Sequence, residues 1–177
     1  MKQFVYCPLC AGALVDRQIE CAQRLVCTEC GWIHYRNPIP VVVAVALNGG
    51  GQVLLVRRGV EPARGSWALP GGFIEAGEEP AVACARELLE ETALVAGRIR
   101  VIDALHQRSV LYGSVIVLGY QVHVTNAEAA SPGDDAMETR WVANDAVPKM
   151  PFESYDRILQ KWRATMHTLQ EDSAWQR

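Results

Sequence analysis

Two Cys-x2-Cys pairs constrain the start of the chain more tightly than any other feature. Cys7-Pro8-Leu9-Cys10 and Cys27-Thr28-Glu29-Cys30 have sixteen residues between them, and a glycine (Gly12, Gly31) follows each pair within two residues. Each tight turn offers two thiolates, and two such turns complete a tetrahedron, which is zinc-ribbon spacing. Val15, Ile19 and Leu25-Val26 can supply the short strands between the turns. A module of about 35 residues cannot build enough core alone, so Zn²⁺ on Cys7, Cys10, Cys27 and Cys30 would hold it folded. A pair of disulfides or a redox motif is the competing arrangement. MKQFVYCPLC lacks the apolar stretch of a secretory signal, so a cytoplasmic location with reduced thiols is expected. Cys21 is expected as a free thiol, and His34 in a structural or solvent-facing role rather than as a metal ligand.

The boundary between ribbon and main domain is set at residues 1–37 and 38–177, with Pro38 and Pro40 giving an extended entry. Val41 to Leu47 is an apolar, β-branched run suited to a strand buried on both faces. Asn48-Gly49-Gly50-Gly51 is a turn, and Gln52 to Arg58 returns. Arg57 and Arg58 end that strand, where a phosphate role competes with a solvated strand end; Arg57 is the substrate-binding candidate. Glu61 to Pro70 is a loop whose Trp67 is expected to plug the core. Arg98 to His106 and Ser114 to Val124 are strands joined near Tyr112-Gly113. Asn126 to Met137 is a polar loop, and Glu138 to Val142 a further strand. Phe152, Tyr155, Ile158, Leu159, Trp162, Met166 and Leu169 fall at helical spacing, so Phe152 to Leu169 is an amphipathic helix. Half of the 177 residues are apolar, enough for a real core. The net charge of −3 argues against a protein built to coat nucleic acid, and no apolar run is long enough to span a membrane.

The richest stretch is Gly72 to Leu94, GFIEAGEEPAVACARELLEETAL. Pro80 to Thr92 reads as a helix, with proline in the first turn. Val82, Ala85, Leu88 and Leu89 fall on one side with Ala81 beside them, and Glu87, Glu90 and Glu91 on the other. Taken alone, three such carboxylates are a solvated face that repels itself mildly. A hard divalent cation such as Mg²⁺, which commonly brings phosphates as its other ligands, would turn that face into a binding site.

This stretch resembles the Nudix box, G-x5-E-x7-R-E-U-x-E-E-x-G-U with U a bulky apolar residue. Gly72, Glu78, Arg86, Glu87, Leu88, Glu90, Glu91 and Leu94 match, and Ala93 stands where the family has glycine. Alanine there must either adopt the turn at some strain or let the helix run on. The resemblance implies an α/β fold, the Nudix α/β/α sandwich with a mixed sheet. It also implies Mg²⁺- or Mn²⁺-dependent hydrolysis of a nucleoside diphosphate linked to another moiety. Glu87, Glu90 and Glu91 would hold the metal, Gly72 would let the backbone approach it, and Glu78 would join from the loop. Arg86 would orient a box glutamate, and Cys84 is expected to pack. The catalytic base is sought among the box glutamates, Asp134, Asp135 and Glu138, with Glu138 preferred.

A ribbon ahead of such a domain is similar to two groups of the family. The NADH pyrophosphatase hallmark S-Q-P-W-P-F-P-x-S is missing, since His106-Gln107-Arg108-Ser109-Val110-Leu111 occupies that region. Shorter ribbon-bearing enzymes acting on ADP-ribose or FAD match better in length and order, although the ADP-ribose signature proline is also missing. A nucleotide small molecule is the expected substrate, with ADP-ribose or FAD ahead of NADH and oxidised nucleotides. Tyr112, Phe152 and Tyr155 are candidates for stacking a purine, at least two of them being expected in the core. Many family members form homodimers, which the resemblance extends to this chain as a candidate assembly. A zinc-ribbon module that binds nucleic acid or protein beside a nucleotide-sensing domain is the alternative; the intact glutamate set favours the enzyme.

Overall fold

A computed structural model describes residues 4–174, with side chains to residue 166. Residues Leu14–Ile19 (β1), Ala22–Cys27 (β2) and Ile33–His34 (β3) form a three-stranded antiparallel sheet. The two cysteine turns flank it. The Cys7 amide donates to Gly12 O at 2.8 Å, and the Gly31 amide to Cys27 O at 3.2 Å.

The larger sheet is mixed. It contains Ile39–Leu47 (β4), Val53–Arg58 (β5), Trp67–Ala68 (β6), Ala96–Ser109 (β7), Gly113–Val124 (β8) and Ala136–Val142 (β9). Its order is β6-β5-β4-β8-β7, with β9 on β5; β4 and β8 run parallel and the other pairs antiparallel. On its other side β4 receives the segment after β6. Val42 donates to Gly72 O at 2.9 Å, Ala44 to Pro70 O at 2.8 Å, and the Ile74 amide to Pro40 O at 3.3 Å. β4 is therefore paired along both edges, which accounts for its unbroken apolar sequence.

Strand alternation divides the core into two layers. Val43, Val45 and Leu47 face Ile158, Leu159 and Trp162 of the second helix, Glu153–Ala174 (α2). Val42, Ala44 and Ala46 face Ala83, Cys84 and Leu88 of the first helix, Pro80–Thr92 (α1). The result is the α/β/α sandwich. Leu169, expected on the α2 stripe, lies outside the described side chains. Among the described residues, no helix is long and apolar enough to cross a membrane.

Several expectations change. α1 has its expected bounds but is rotated. Val82 and Leu89 are 57% and 50% exposed, whereas Ala83, Cys84, Leu88, Glu91 and Thr92 are buried. The physical reason is size: Ala83 and Cys84 let the helix lie close over Ala44 and Ala46. The region Glu61 to Pro70 contains the short strand β6 rather than loop alone. Trp67 packs on the core edge, with the Arg140 guanidinium 4.5 Å from its ring centroid. β7 runs on to Ser109, three residues past the expected end at His106. The polar loop holds a 3-10 turn at Ala127–Ala129, and β9 starts at Ala136, ahead of Glu138.

Candidate active site

The close β4 pairing places Gly71 and Gly72 against α1. A Cβ on Gly72 would fall 2.4 Å from Glu87 Oε2, so a side chain here would push that carboxylate from its place over the backbone. The Gly72 carbonyl, expected to approach a metal, accepts the Val42 amide.

Arg86 organises the acids. Its Nε and Nη2 each donate to Glu78 at 2.9 Å, in a two-pronged pair. Nη1 reaches Glu87 Oε1 at 2.8 Å and Glu90 Oε2 at 2.9 Å, and Nη2 also donates to the Phe73 carbonyl at 3.0 Å. Glu78 thus grips the arginine, whose guanidinium holds its carboxyl below the usual range. The loop glutamate expected beside the other acids acts through Arg86 instead. Glu91 is anchored separately: the Gly71 amide donates to its Oε2 at 2.9 Å.

Every glutamate of the helix trio therefore has one oxygen fixed by an N–H donor. Among the described residues, Glu87 Oε2, Glu90 Oε1 and Glu91 Oε1 carry no such bond. Burial pushes the Glu87 carboxyl up, and pushes Glu91 up to about 8 against the Gly71 hydrogen bond. Three free carboxylate oxygens in a partly desolvated wall form a hard donor set that suits a divalent cation. They are held apart, however. Among the described residues, only the four cysteines form a group of three or more whose ligand atoms lie within 4.8 Å of one another.

These residues line a cleft of about 410 Å³. Asp134 and Asp135 also line it, as do Arg58, Phe73, Tyr112 and Tyr155. The loop carrying the aspartates is fastened to the end of α1: Ser131 donates to Thr92 O and Gly133 to Glu91 O, both at 3.0 Å. Glu138 is elsewhere, on β9, paired with Arg57 at 3.1 Å with both side chains nearly half exposed. Neither residue is among those lining the cleft. The β5–β9 register, which sets Arg57 opposite Glu138, explains the displacement. Arg58, one residue on, reaches the cleft. Its Nε donates to Pro62 O at 2.9 Å, and its guanidinium lies 5.4 Å from the Phe152 ring centroid.

Tyr112 lines the cleft as expected, edge-on to Phe73 with ring centroids 5.1 Å apart. Phe152 and Tyr155 pack with the core while also lining the cleft. Sequence reasoning missed Phe73, Gln107 and Ser109. The signal for Phe73 was its place directly after Gly71-Gly72; the other two depended on the extra length of β7. Cys84 is buried, with its thiol pushed up to about 12, and packs as expected.

In the ribbon, Cys7 and Cys30 Sγ are 3.7 Å apart, and Cys10 and Cys27 Sγ 3.4 Å. Tetrahedral thiolates at the ordinary Zn–S distance are separated by about 3.8 Å, so the cluster fits Zn²⁺. All six cysteines are unbridged, and Cys21 is exposed outside the cluster.

Fold and site define a class: a mixed sheet between two helices, one helix presenting an arginine-tethered glutamate trio to a cleft. A family model described as the NUDIX domain matches residues 37–162, and one described as Nudix N-terminal matches residues 5–36. The chain belongs to the Nudix hydrolase family. It is 31% identical over 125 residues to an ADP-ribose pyrophosphatase of Methanocaldococcus jannaschii, covering 67% of this chain and 72% of that one. It is 33% identical over 95 residues to an NAD-capped RNA hydrolase of Vibrio cholerae, covering 54% and 34%. A crystal structure of a NUDIX hydrolase from Nitrosomonas europaea superposes with a TM-score of 0.75 at 27% identity, covering 93% of each chain.

Proposed function

We propose that the protein hydrolyses the pyrophosphate bond of a nucleoside diphosphate derivative, with ADP-ribose or a related dinucleotide such as FAD as substrate. The observation that carries this reading is the glutamate trio, each member having one oxygen anchored and one free. Glu87, Glu90 and Glu91 would hold Mg²⁺ or Mn²⁺. A bound cation supplies Lewis acidity toward the pyrophosphate oxygens. Arg86 keeps Glu87 and Glu90 oriented, and Glu78 keeps Arg86 from swinging into the cleft. Arg58, rather than Arg57, is positioned to bind a phosphate oxygen, with the Phe152 face and Pro62 O fixing its guanidinium. Phe73 and Tyr112 offer aromatic surface at the cleft for a base. Asp134 or Asp135, fastened beside Glu91, accepts the proton of the attacking water in place of Glu138. The 31% identity over 125 residues to a relative named an ADP-ribose pyrophosphatase supports the substrate class. The ribbon cysteines would hold a structural Zn²⁺.

The test is a substrate panel of ADP-ribose, FAD, NADH and an oxidised deoxynucleoside triphosphate, with Mg²⁺ and with Mn²⁺. Glu90→Gln should lower kcat about a hundredfold or more, equivalent to at least about 2.7 kcal/mol of lost transition-state stabilisation. An Asp134→Asn or Asp135→Asn variant should also lose activity, while Glu138→Gln retains it. Unchanged turnover in Glu90→Gln would refute the metal assignment. A collapse confined to Glu138→Gln would return the base to β9.

A further inference from the structure

A second cavity of about 440 Å³ adjoins the cleft; Gln107 and Phe152 line both. The Ser154 hydroxyl donates to Gln107 Oε1, tying β7 to the start of α2 between the two spaces. β7 is the outermost strand at its end of the sheet, so its side chains serve two compartments. Gln107 and Ser109 line the cleft, whereas His106 and Arg108 line the second cavity, where Arg157 and Glu153 join them from α2.

The charge balance of this cavity is unusual for the molecule. Two guanidiniums and one imidazole face a single carboxylate, Glu153, in a chain of net charge −3. Arg108 and Arg157 are exposed, and among the described residues neither guanidinium has a hydrogen bond, ion pair or ring contact. The contrast with Arg57, Arg58 and Arg86 is clear, since each of those is tied to a protein acceptor. His106 is oriented by a 3.0 Å hydrogen bond between its Nε2 and Ser114 Oγ. Two free, planar five-donor forks at one cavity match a phosphate group, which accepts paired N–H bonds. The pocket is half open and local, lined by eight residues of β7 and the region where α2 begins, an extent that suits one phosphorylated ribose; tracking a polynucleotide requires an extended basic groove.

We propose that this cavity binds a phosphate carried by the substrate beyond its pyrophosphate, on the ribose of the nucleoside. The enzyme then selects ribose-phosphorylated nucleoside diphosphate derivatives over their plain counterparts. The proposal rests on the pyrophosphatase reading for the identity of the neighbouring cleft.

Binding and turnover test it separately. The full-length protein is titrated calorimetrically with AMP, adenosine 2′,5′-bisphosphate and adenosine 3′,5′-bisphosphate. One bisphosphate should bind at least about tenfold tighter than AMP, the yield of one charge-assisted contact. Arg108→Ala with Arg157→Ala should erase that difference and leave AMP binding as it was. In the kinetic arm, the matching ribose-phosphorylated ADP-ribose should exceed ADP-ribose in kcat/KM by the same factor, through KM. The double variant should lose only that preference, and its unchanged ADP-ribose turnover certifies its folding. Equal wild-type affinity for AMP and both bisphosphates would overturn the proposal, whether or not ADP-ribose is cleaved. A bisphosphate preference without hydrolysis of any dinucleotide would overturn the pyrophosphatase reading and leave the phosphate site standing. A short 5′-phosphorylated RNA that outcompetes both bisphosphates would overturn the proposal in favour of a polynucleotide ligand.

Discussion

Glu91 is 6% exposed, and its carboxyl is pushed up from 4.5 to about 8, chiefly by burial. The folded state therefore holds this proton more tightly than the unfolded chain. Its stabilising contribution is complete below about 4.5 and is lost as pH rises through about 8. In Mg²⁺-free buffer, the urea midpoint of the wild type should fall across that window more steeply than that of Glu91→Gln. Added Mg²⁺ should restore the wild type alone at the alkaline end; parallel pH profiles for the two proteins would contradict this. At this scale the sequence was informative about residue types and poor about partners. Glu87, Glu90 and Glu91 were singled out by the resemblance of Gly72 to Leu94 to the Nudix box, their spacing alone reading as a solvated face. That Glu78 holds Arg86, and that Arg58 rather than Arg57 reaches the cleft, depended on contacts between segments far apart in the chain.

α1 ends where a glycine is expected and finds Ala93 in the left-handed region, at φ 56°. Its amide still closes the turn onto Leu89 O at 2.8 Å. Asn126 braces the exit, accepting from the Val95 amide at 2.8 Å and donating to Ala93 O at 3.3 Å. The helix therefore stops on schedule, and the strain stays in one residue. Ala93→Gly should raise stability by about 1 kcal/mol, the left-handed penalty of a Cβ. The check is a urea midpoint that rises with an unchanged slope; no rise would mean that the Asn126 brace already removes the strain. Helix bounds were legible because Pro80 and the box pattern mark both ends. Helix orientation was not, because apolar count favoured the Val82–Leu89 side while close packing favoured the small Ala83 and Cys84. The same limit applies to Glu138: its strand was visible, but the register that pairs it with Arg57 was not.

The molecule combines a sandwich with two packed core layers and a ribbon that has little core of its own. Bound Zn²⁺ would therefore be the main source of folding energy in the ribbon; apparent zinc contributions to such modules are about 10–16 kcal/mol. The purified protein should carry one zinc per chain. Chelation should release it and collapse the Trp32 environment while the sandwich still melts cooperatively. A zinc-free protein with an unchanged ribbon would defeat the assignment. Both parts were legible in outline, from the doubled Cys-x2-Cys spacing and from the unbroken apolar run Val41 to Leu47. In the cleft, the helix glutamates, the Asp134-Asp135 pair and Tyr112 were legible as candidates. Gln107 and Ser109 come from the added length of β7, and the seat of the aspartate loop on α1 comes from contacts between distant segments, so neither leaves a local pattern. That loop meets α1 at Gly133, where a Cβ would lie 2.4 Å from Glu90 O. The interval between the helix acids and the aspartate pair is thus gauged by an atom that is missing. A methyl group at Gly133 would widen it with every carboxylate still in place, so one of the tightest tolerances in this cleft belongs to a residue with no chemistry to offer.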